Sequence, residues 1–150
     1  MGGVMLKEIT FQEVEELADT GKWPMLVTAV ECRKYEPDYI SGKRKTVFSA
    51  IIKDNTIVCV MGFEYGYSKR SGEMVYIGPL CVHEAYRGCG IGSLAVLAFQ
   101  SMAIKQQKKL LLYAHKDVQG FYERHGFKAV YAVEEDYQAM EWVPDGWEDK

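Results

Sequence analysis

The stretch from Tyr76 to Gln100, YIGPLCVHEAYRGCGIGSLAVLAFQ, leaves this chain few choices of fold. It starts as an apolar strand over Tyr76–Val82 and crosses a short polar turn. It then enters the glycine-punctuated loop Arg87-Gly88-Cys89-Gly90-Ile91-Gly92, which runs straight into an apolar helix. Strand, glycine loop and helix in that order make the geometry of a phosphate site. Glycine permits close backbone approach, the amides of a helix's first turn have no acceptor within the helix, and the helix dipole places partial positive charge there. Arg87 adds a full positive charge at the mouth. The same arrangement also serves an ordinary tight strand-to-helix connection, so the stretch by itself admits both readings. Glycines at 88, 90 and 92 do not spell the dinucleotide G-x-G-x-x-G, and no Gly-Lys-Ser/Thr follows as in a P-loop.

The rest of the chain narrows the partners. With 150 residues, 48% of them apolar, one core and a single domain over residues 1–150 are expected. Lys and Arg total 18 against 21 Asp and Glu, so there is no global basic field to hold nucleic acid. Local basic clusters, Lys43-Arg44-Lys45 and Lys105 with Lys108 and Lys109, are expected to be solvated surface. Cys32, Cys59, Cys81 and Cys89 show neither C-x-x-C nor Cys/His metal spacing, and read as reduced thiols of a cytoplasmic protein that holds no metal. No signal segment is expected at the first residues, and no apolar run is long enough to span a membrane.

In chain order, Met5–Thr10 is expected to be a strand, followed by a helix opened by a Thr10/Glu13 capping box and ended at Gly21. Trp23–Ile40 reads as helix broken near Glu36-Pro37. Strands Thr46–Lys53 and Thr56–Tyr65 flank a tight Asp54-Asn55 turn. A polar loop over Tyr67–Gly72 then leads to the strand Glu73–Val82. The helix after Gly90 has apolar residues on several sides and is expected to be buried between layers. Lys109–Ala114 follows as a parallel strand, then a helix N-capped by Asp117 and closed by Gly126 and Phe127, then strands Lys128–Val133 and Gln138–Val143. This is an α+β order of elements.

Two motifs carry a family resemblance. Arg87, Gly90 and Gly92, preceded by Leu80-Cys81-Val82, resemble the pyrophosphate loop of the GNAT acetyltransferases, Arg/Gln-x-x-Gly-x-Gly/Ala. Phe121-Tyr122 with Gly126-Phe127 resembles the family's Phe/Leu-Tyr-x-x-x-Gly-Phe helix, and Ala114-His115 stands where one subgroup has Ala-Gln. The likeness covers about Gly72 to Val143. It implies a three-layer domain with helices on both faces of a mixed, mostly antiparallel sheet of about six or seven strands, splayed between the fourth and fifth.

It also implies roles. Acetyl-CoA would lie with its pantetheine along the backbone of Cys81 and Val82 and its pyrophosphate on Arg87, Gly88, Cys89, Gly90, Ile91, Gly92 and Ser93. An amide near Val82 would polarise the thioester carbonyl. Tyr122 would be the general acid that protonates the departing thiolate, its other reading being a core tyrosine. His115 would either hydrogen-bond pantetheine or fill space beside it. Tyr76 stands where some relatives carry a catalytic Glu, so the base stays open among water relayed by Glu64, Glu73 or Tyr76. Cys89 is either a small residue fitting the loop or an oxidisable thiol.

The acceptor implied is a primary amine, of a small molecule or of a protein, and the exposed tyrosines and acidic excess suit a cationic one. The alternative is a catalytically weak acyl-CoA-binding or sensing module. Dimers are common in the family, and a homodimer through the terminal strand Gln138–Val143 or the tail Trp147–Lys150 is one expectation, with core cover by Trp142 and Trp147 the other.

Overall fold

The computed structural model describes residues 3–147. Its strands are β1 (Val4–Ile9), β2 (Val47–Lys53), β3 (Thr56–Ser68), β4 (Gly72–Val82), β5 (Leu110–His115), β6 (Lys128–Glu134) and β7 (Tyr137–Trp142). They form one seven-stranded sheet in the order β1-β2-β3-β4-β5-β7-β6. The flanking helices are α1 (Phe11–Asp19), α2 (Pro24–Tyr35), α3 (Pro37–Ile40), α4 (Ile91–Gln106) and α5 (Gln119–Arg124). β1–β2, β2–β3, β5–β7 and β6–β7 are antiparallel. Residues 69–71 between β3 and β4 are too few for a parallel crossover, whereas β4 and β5, separated by α4, pair in parallel. The fold is α+β, as expected.

Packing divides the chain into two compact units. The first comprises Met1–Glu64 and Gly78–Ala95. Here α1 opens with the expected capping box: Glu13 N–H donates to Thr10 Oγ1 at 3.1 Å and Thr10 N–H to Glu13 Oε1 at 3.2 Å. Both α2 and α3 start at proline, and Glu36 between them is extended, which breaks the region where the Glu36-Pro37 step predicts it. Val14, Ala18, Leu26 and Val30 pack on Phe48, Ala50, Val60 and Cys81 to form the core of this unit. The β2–β3 turn holds Asp54 and Asn55 at φ 51° and 63°, the left-handed pair that a tight hairpin needs.

The second unit comprises Tyr65–Ile77 and Val96–Lys150. The β4–β5 register covers two pairs, Val75↔Leu110 and Tyr76↔Leu111, and β5 continues against β7 through His115↔Tyr137. After α5, Gly126 at φ 88° sends its N–H to Glu123 O (3.0 Å), and Phe127 sends its own to Tyr122 O (3.1 Å). This is a Schellman cap with the Tyr122–Phe127 ring contact, centroids 5.6 Å apart, that accompanies it. Gln100 Nε2 on α4 donates to His125 O at 2.8 Å, tying α4 to that cap.

Several expectations give way. β3 runs on to Ser68, so the loop is shorter than Tyr67–Gly72. The α4 helix is buried on one side through Ile91, Ala95, Val96, Phe99 and Ala103, while Leu94, Leu97 and Ile104 are exposed, so it lies on the sheet rather than between layers. Asp117 is not the N-cap of α5. Val118 takes that position, and Asp117 turns back to His115, its N–H donating to Nδ1 at 3.2 Å. Both edges of β7 are occupied, by β5 and β6, so the terminal strand has no free edge for a second subunit. Trp142 lies against Gly126, and residues 148–150 of the tail fall outside the described part of the chain. Lys109 is buried, with Nζ 3.3 Å from Glu141 and over the Trp147 ring, because β5 begins one residue later and leaves this stem against the sheet.

Gly62 on β3 is required by space. A Cβ there would lie 2.7 Å from Gly78 O, 2.8 Å from Pro79 Cδ and 2.9 Å from Thr46 Cγ2. Two of these belong to β4's backbone and proline ring, which cannot rotate away. Gly62→Ala is expected to lose about 1–3 kcal/mol of stability through overpacking, measured as a lower denaturant midpoint. A midpoint equal to that of the wild type would show that β4 can retreat from β3.

Candidate active site

The site is built on the end of β4. Pro79 has no N–H to give to a neighbouring strand, and from here β4 is held by other means. Arg33 on α2 donates through Nη2 to Gly78 O at 3.0 Å, and His83 N–H donates to Val58 O on β3 at 2.9 Å. Beyond Val82, His83 Nδ1 accepts from Ala85 N–H at 3.1 Å and caps a single 3₁₀ turn over Glu84–Tyr86. The glycine loop follows.

In that loop Gly88 and Gly90 sit at φ 81° and 80°, and nothing lies within 4 Å of where their Cβ atoms would be. The glycines are needed for backbone direction, not for room. Leu94 N–H reaches Gly90 O at 3.2 Å, so Gly90 is the residue from which α4 starts. Arg87, Gly88, Cys89 and Gly90 are exposed, Gly92 and Ser93 are half-buried, and Ile91 is buried and anchors the turn. An exposed loop of left-handed glycines, an exposed arginine and the amino end of a 16-residue helix suit an anion.

Cys81 points into the core, and burial pushes its thiol up to about 12, with Arg87 pulling weakly the other way. Only its main chain faces a ligand role. Val82, the next residue, is half-buried.

The strongest electrostatic feature of this unit is Glu64, near the end of the apolar run in β3 and only 5% exposed. Its carboxylate accepts from Tyr39 OH, from Arg44 Nε at 3.0 Å and from Thr46 Oγ1 at 3.0 Å, with Arg33 Nη2 3.6 Å away. Arg33 also donates to Thr46 Oγ1 at 2.8 Å and to Ala29 O at 3.0 Å. Both guanidinium groups lie over the Tyr39 ring. Arg44 is therefore a structural cation rather than the solvated one expected, and Glu64 is committed to holding α2, α3 and β2 together. Burial and the Glu64 carboxylate raise the Tyr39 pKa. A cavity of about 410 Å³ opens beside this network, lined by Arg33, Tyr39, Lys45 and Phe48 among others, and includes no residue of the glycine loop. The signal for this node was a charged residue inside a strand pattern that is otherwise apolar and small.

In the second unit, Tyr122 is half-buried on α5, its ring edge-on to Phe121 and Phe127. His115 at the end of β5 sets Nδ1 3.3 Å from Asp117 Oδ2 and its ring against Tyr137. Tyr76 packs against Tyr113, and Glu73 is exposed and paired with Lys108. The residues of the loop, Cys81 to Ser93, thus come together in the first unit, while His115, Tyr122 and Tyr76 belong to the second.

Comparison with known proteins agrees with this architecture. The family model described as "Acetyltransferase (GNAT) domain" matches residues 43–129, more than half of the chain, so the chain belongs to the GNAT acetyltransferases. No curated protein matches it. Among solved structures it is similar to the paia N-acetyltransferase from Thermoplasma acidophilum in complex with coenzyme A, at 14% identity and TM-score 0.67, over 95% of this chain and 99% of that one. It is also similar to ElaA of Escherichia coli, at 20% identity and TM-score 0.65, over 94% and 99%. Arabidopsis thaliana NAA60 in complex with a bisubstrate analogue matches at 14% identity and TM-score 0.63, over 96% and 99%. Among the described residues, no helix is long and apolar enough to cross a membrane.

The thiols give a test of how the site is packed. Burial raises Cys59 and Cys81 from 9.0 to about 12, whereas Cys89 is exposed. Iodoacetamide at pH 8 is expected to label Cys89 first and to reach Cys59 and Cys81 only in denaturant. Because folding raises these two pKa values, their contribution to stability is complete below pH 9 and declines as the pH rises toward 12. A thermal midpoint that does not fall above pH 9, or native labelling of Cys81, would contradict this packing.

Proposed function

We propose that the protein is an acetyl-CoA-dependent N-acetyltransferase that transfers acetyl to a primary amine by direct attack in a ternary complex. The observation that carries this reading is the exposed loop of left-handed glycines opening α4, with Arg87 at its mouth, in a chain of the GNAT family. Main-chain amides of Arg87 to Ser93 would hold the pyrophosphate, and the backbone of Cys81 and Val82 the pantetheine, with His115 as a further contact. Acetyl-CoA would supply the activated thioester, and no metal is required.

In the reaction the amine nitrogen attacks the thioester carbonyl, and the carbon–sulfur bond breaks as the amide forms. An amide N–H near Val82 stabilises the charge developing on the carbonyl oxygen. The sulfur leaves with a proton from the Tyr122 phenol, and the amine gives up its own to water. Glu64 is already committed to Tyr39, Arg44 and Thr46, which leaves Glu73 and Tyr76 to relay that proton. The four free cysteines support a reducing compartment such as the cytoplasm. Tyr76 in place of a carboxylate favours the second reading, an acyl-CoA-binding or sensing module, which thiol release with a panel of amines separates from an enzyme.

Saturating acetyl-CoA is expected to raise the thermal midpoint. A hundredfold excess over the dissociation constant adds about 2.7 kcal/mol. Arg87→Ala and Gly90→Asp are expected to lose most of that gain while remaining folded, since Gly90 has open space around it. No shift for the wild type would remove the basis of the reading. Tyr122→Phe is expected to lower kcat by about 10²-fold or more, as for the loss of a positioned acid, with the acetyl-CoA shift retained. An unchanged kcat would return Tyr122 to the role of a core tyrosine.

A further inference from the structure

The face of β5 and β7 opposite α5 carries a surface that the proposed chemistry does not use. Gly126, at the end of α5, stands 3.3 Å from Trp142, and Trp142 pairs with Leu110, so α5 covers the side that holds Leu110, Leu112 and Met140. On the other side, alternation brings up Leu111, Tyr113 and His115 from β5, with Ala139 and Tyr137 from β7. Leu111 and Ala139 are fully buried there with Met74. Their cover includes the tyrosines Tyr76 and Tyr131.

These rings form two walled corners. Tyr76 and Tyr113 meet at 5.3 Å with planes inclined by 56°, and His115 and Tyr137 meet at 5.1 Å and 78°. Tyr113 and His115 are two residues apart on one face, so the corners are about 7 Å from each other. Tyr113 is 44% exposed and Tyr137 38%. Rings set at steep angles with open faces are the geometry that accepts an ammonium group. A cation already uses this surface, for Arg70 sits 4.3 Å from the centroid of the Tyr131 ring.

Charge agrees with that chemistry. Beside Tyr137, the β6–β7 turn carries Glu134, Glu135 and Asp136, and Asp117 lies against His115. Lys116 offsets one of these carboxylates, its Nζ 3.4 Å from Asp136.

We propose that this face is the acceptor platform for a small diamine or polyamine, holding a second, protonated amine while the first reacts. The inference rests on the acetyltransferase reading above. The reacting amine must be neutral to attack, so a surface built for a cation implies an acceptor with at least two amino groups.

The test is steady-state thiol release with 1,4-diaminobutane and with n-butylamine, which share a chain length and differ in the second ammonium group. Wild type is compared with Tyr113→Leu and Tyr137→Leu, and with Tyr113→Phe and Tyr137→Phe, which keep the ring face and report on folding. The wild type is expected to show a KM for the diamine about tenfold lower than for butylamine. Each Leu variant is expected to raise the diamine KM about three- to tenfold, with the butylamine KM and kcat unchanged, while the Phe variants stay near wild type. Equal KM values for the two amines in the wild type, or Leu variants that lose both amines alike, overturn the platform. So does a failure of both amines to release thiol from a protein whose midpoint acetyl-CoA raises. Absence of that acetyl-CoA shift overturns the acetyltransferase reading itself.

Discussion

Everything functional in this chain depends on how β4 is held after its pairing with β5 ends. The parallel register lasts for Val75 and Tyr76, and the strand then runs six more residues to Val82. Backbone groups that leave a ladder must find other partners. The partners here come from three directions: Arg33 on α2 takes Gly78 O, β3 approaches closely because Gly62 has no side chain, and Val58 O receives His83 N–H. A strand secured this way delivers a fixed direction to the 3₁₀ turn and to the glycine loop beyond it.

The buried charge cluster serves the same end. A carboxylate out of water costs several kcal/mol unless it is met by hydrogen bonds and opposite charge, and Glu64 has both. The arrangement gains little net stability over an apolar core of the same shape. What it gives is registration: α2, α3, β2 and β3 can satisfy Glu64 together in only one relative position, and Arg33, fixed by Glu64 and Thr46, then meets Gly78.

Local chemistry was readable wherever a residue decides its own surroundings. The Thr10/Glu13 box, the left-handed Asp54-Asn55 turn and the Gly126-Phe127 cap are each specified within a few residues, and each forms as its spacing implies. The family motifs are short and sequential as well. What was not readable depends on distant partners. Asp117 is a good N-cap in isolation, but His115 competes for it. Arg44 looks like surface until Glu64, twenty residues away, is buried beside it. The exposed flank of α4 and the inner position of β7 follow from strand order, which no local pattern encodes.

Glycine shows how space and shape can be told apart. At Gly62 and Gly126 a Cβ would meet a neighbour, the backbone of β4 in one case and the Trp142 ring in the other, so packing accounts for both residues. At Gly88 and Gly90 a Cβ would meet nothing, and a left-handed backbone is the whole requirement. A packing argument has nothing to say about that pair. Turning an exposed loop twice into the left-handed region, immediately before a helix, aims its amides outward instead of into the fold. Such a loop gains no contacts from its shape, so its shape is explained by what it presents to a ligand.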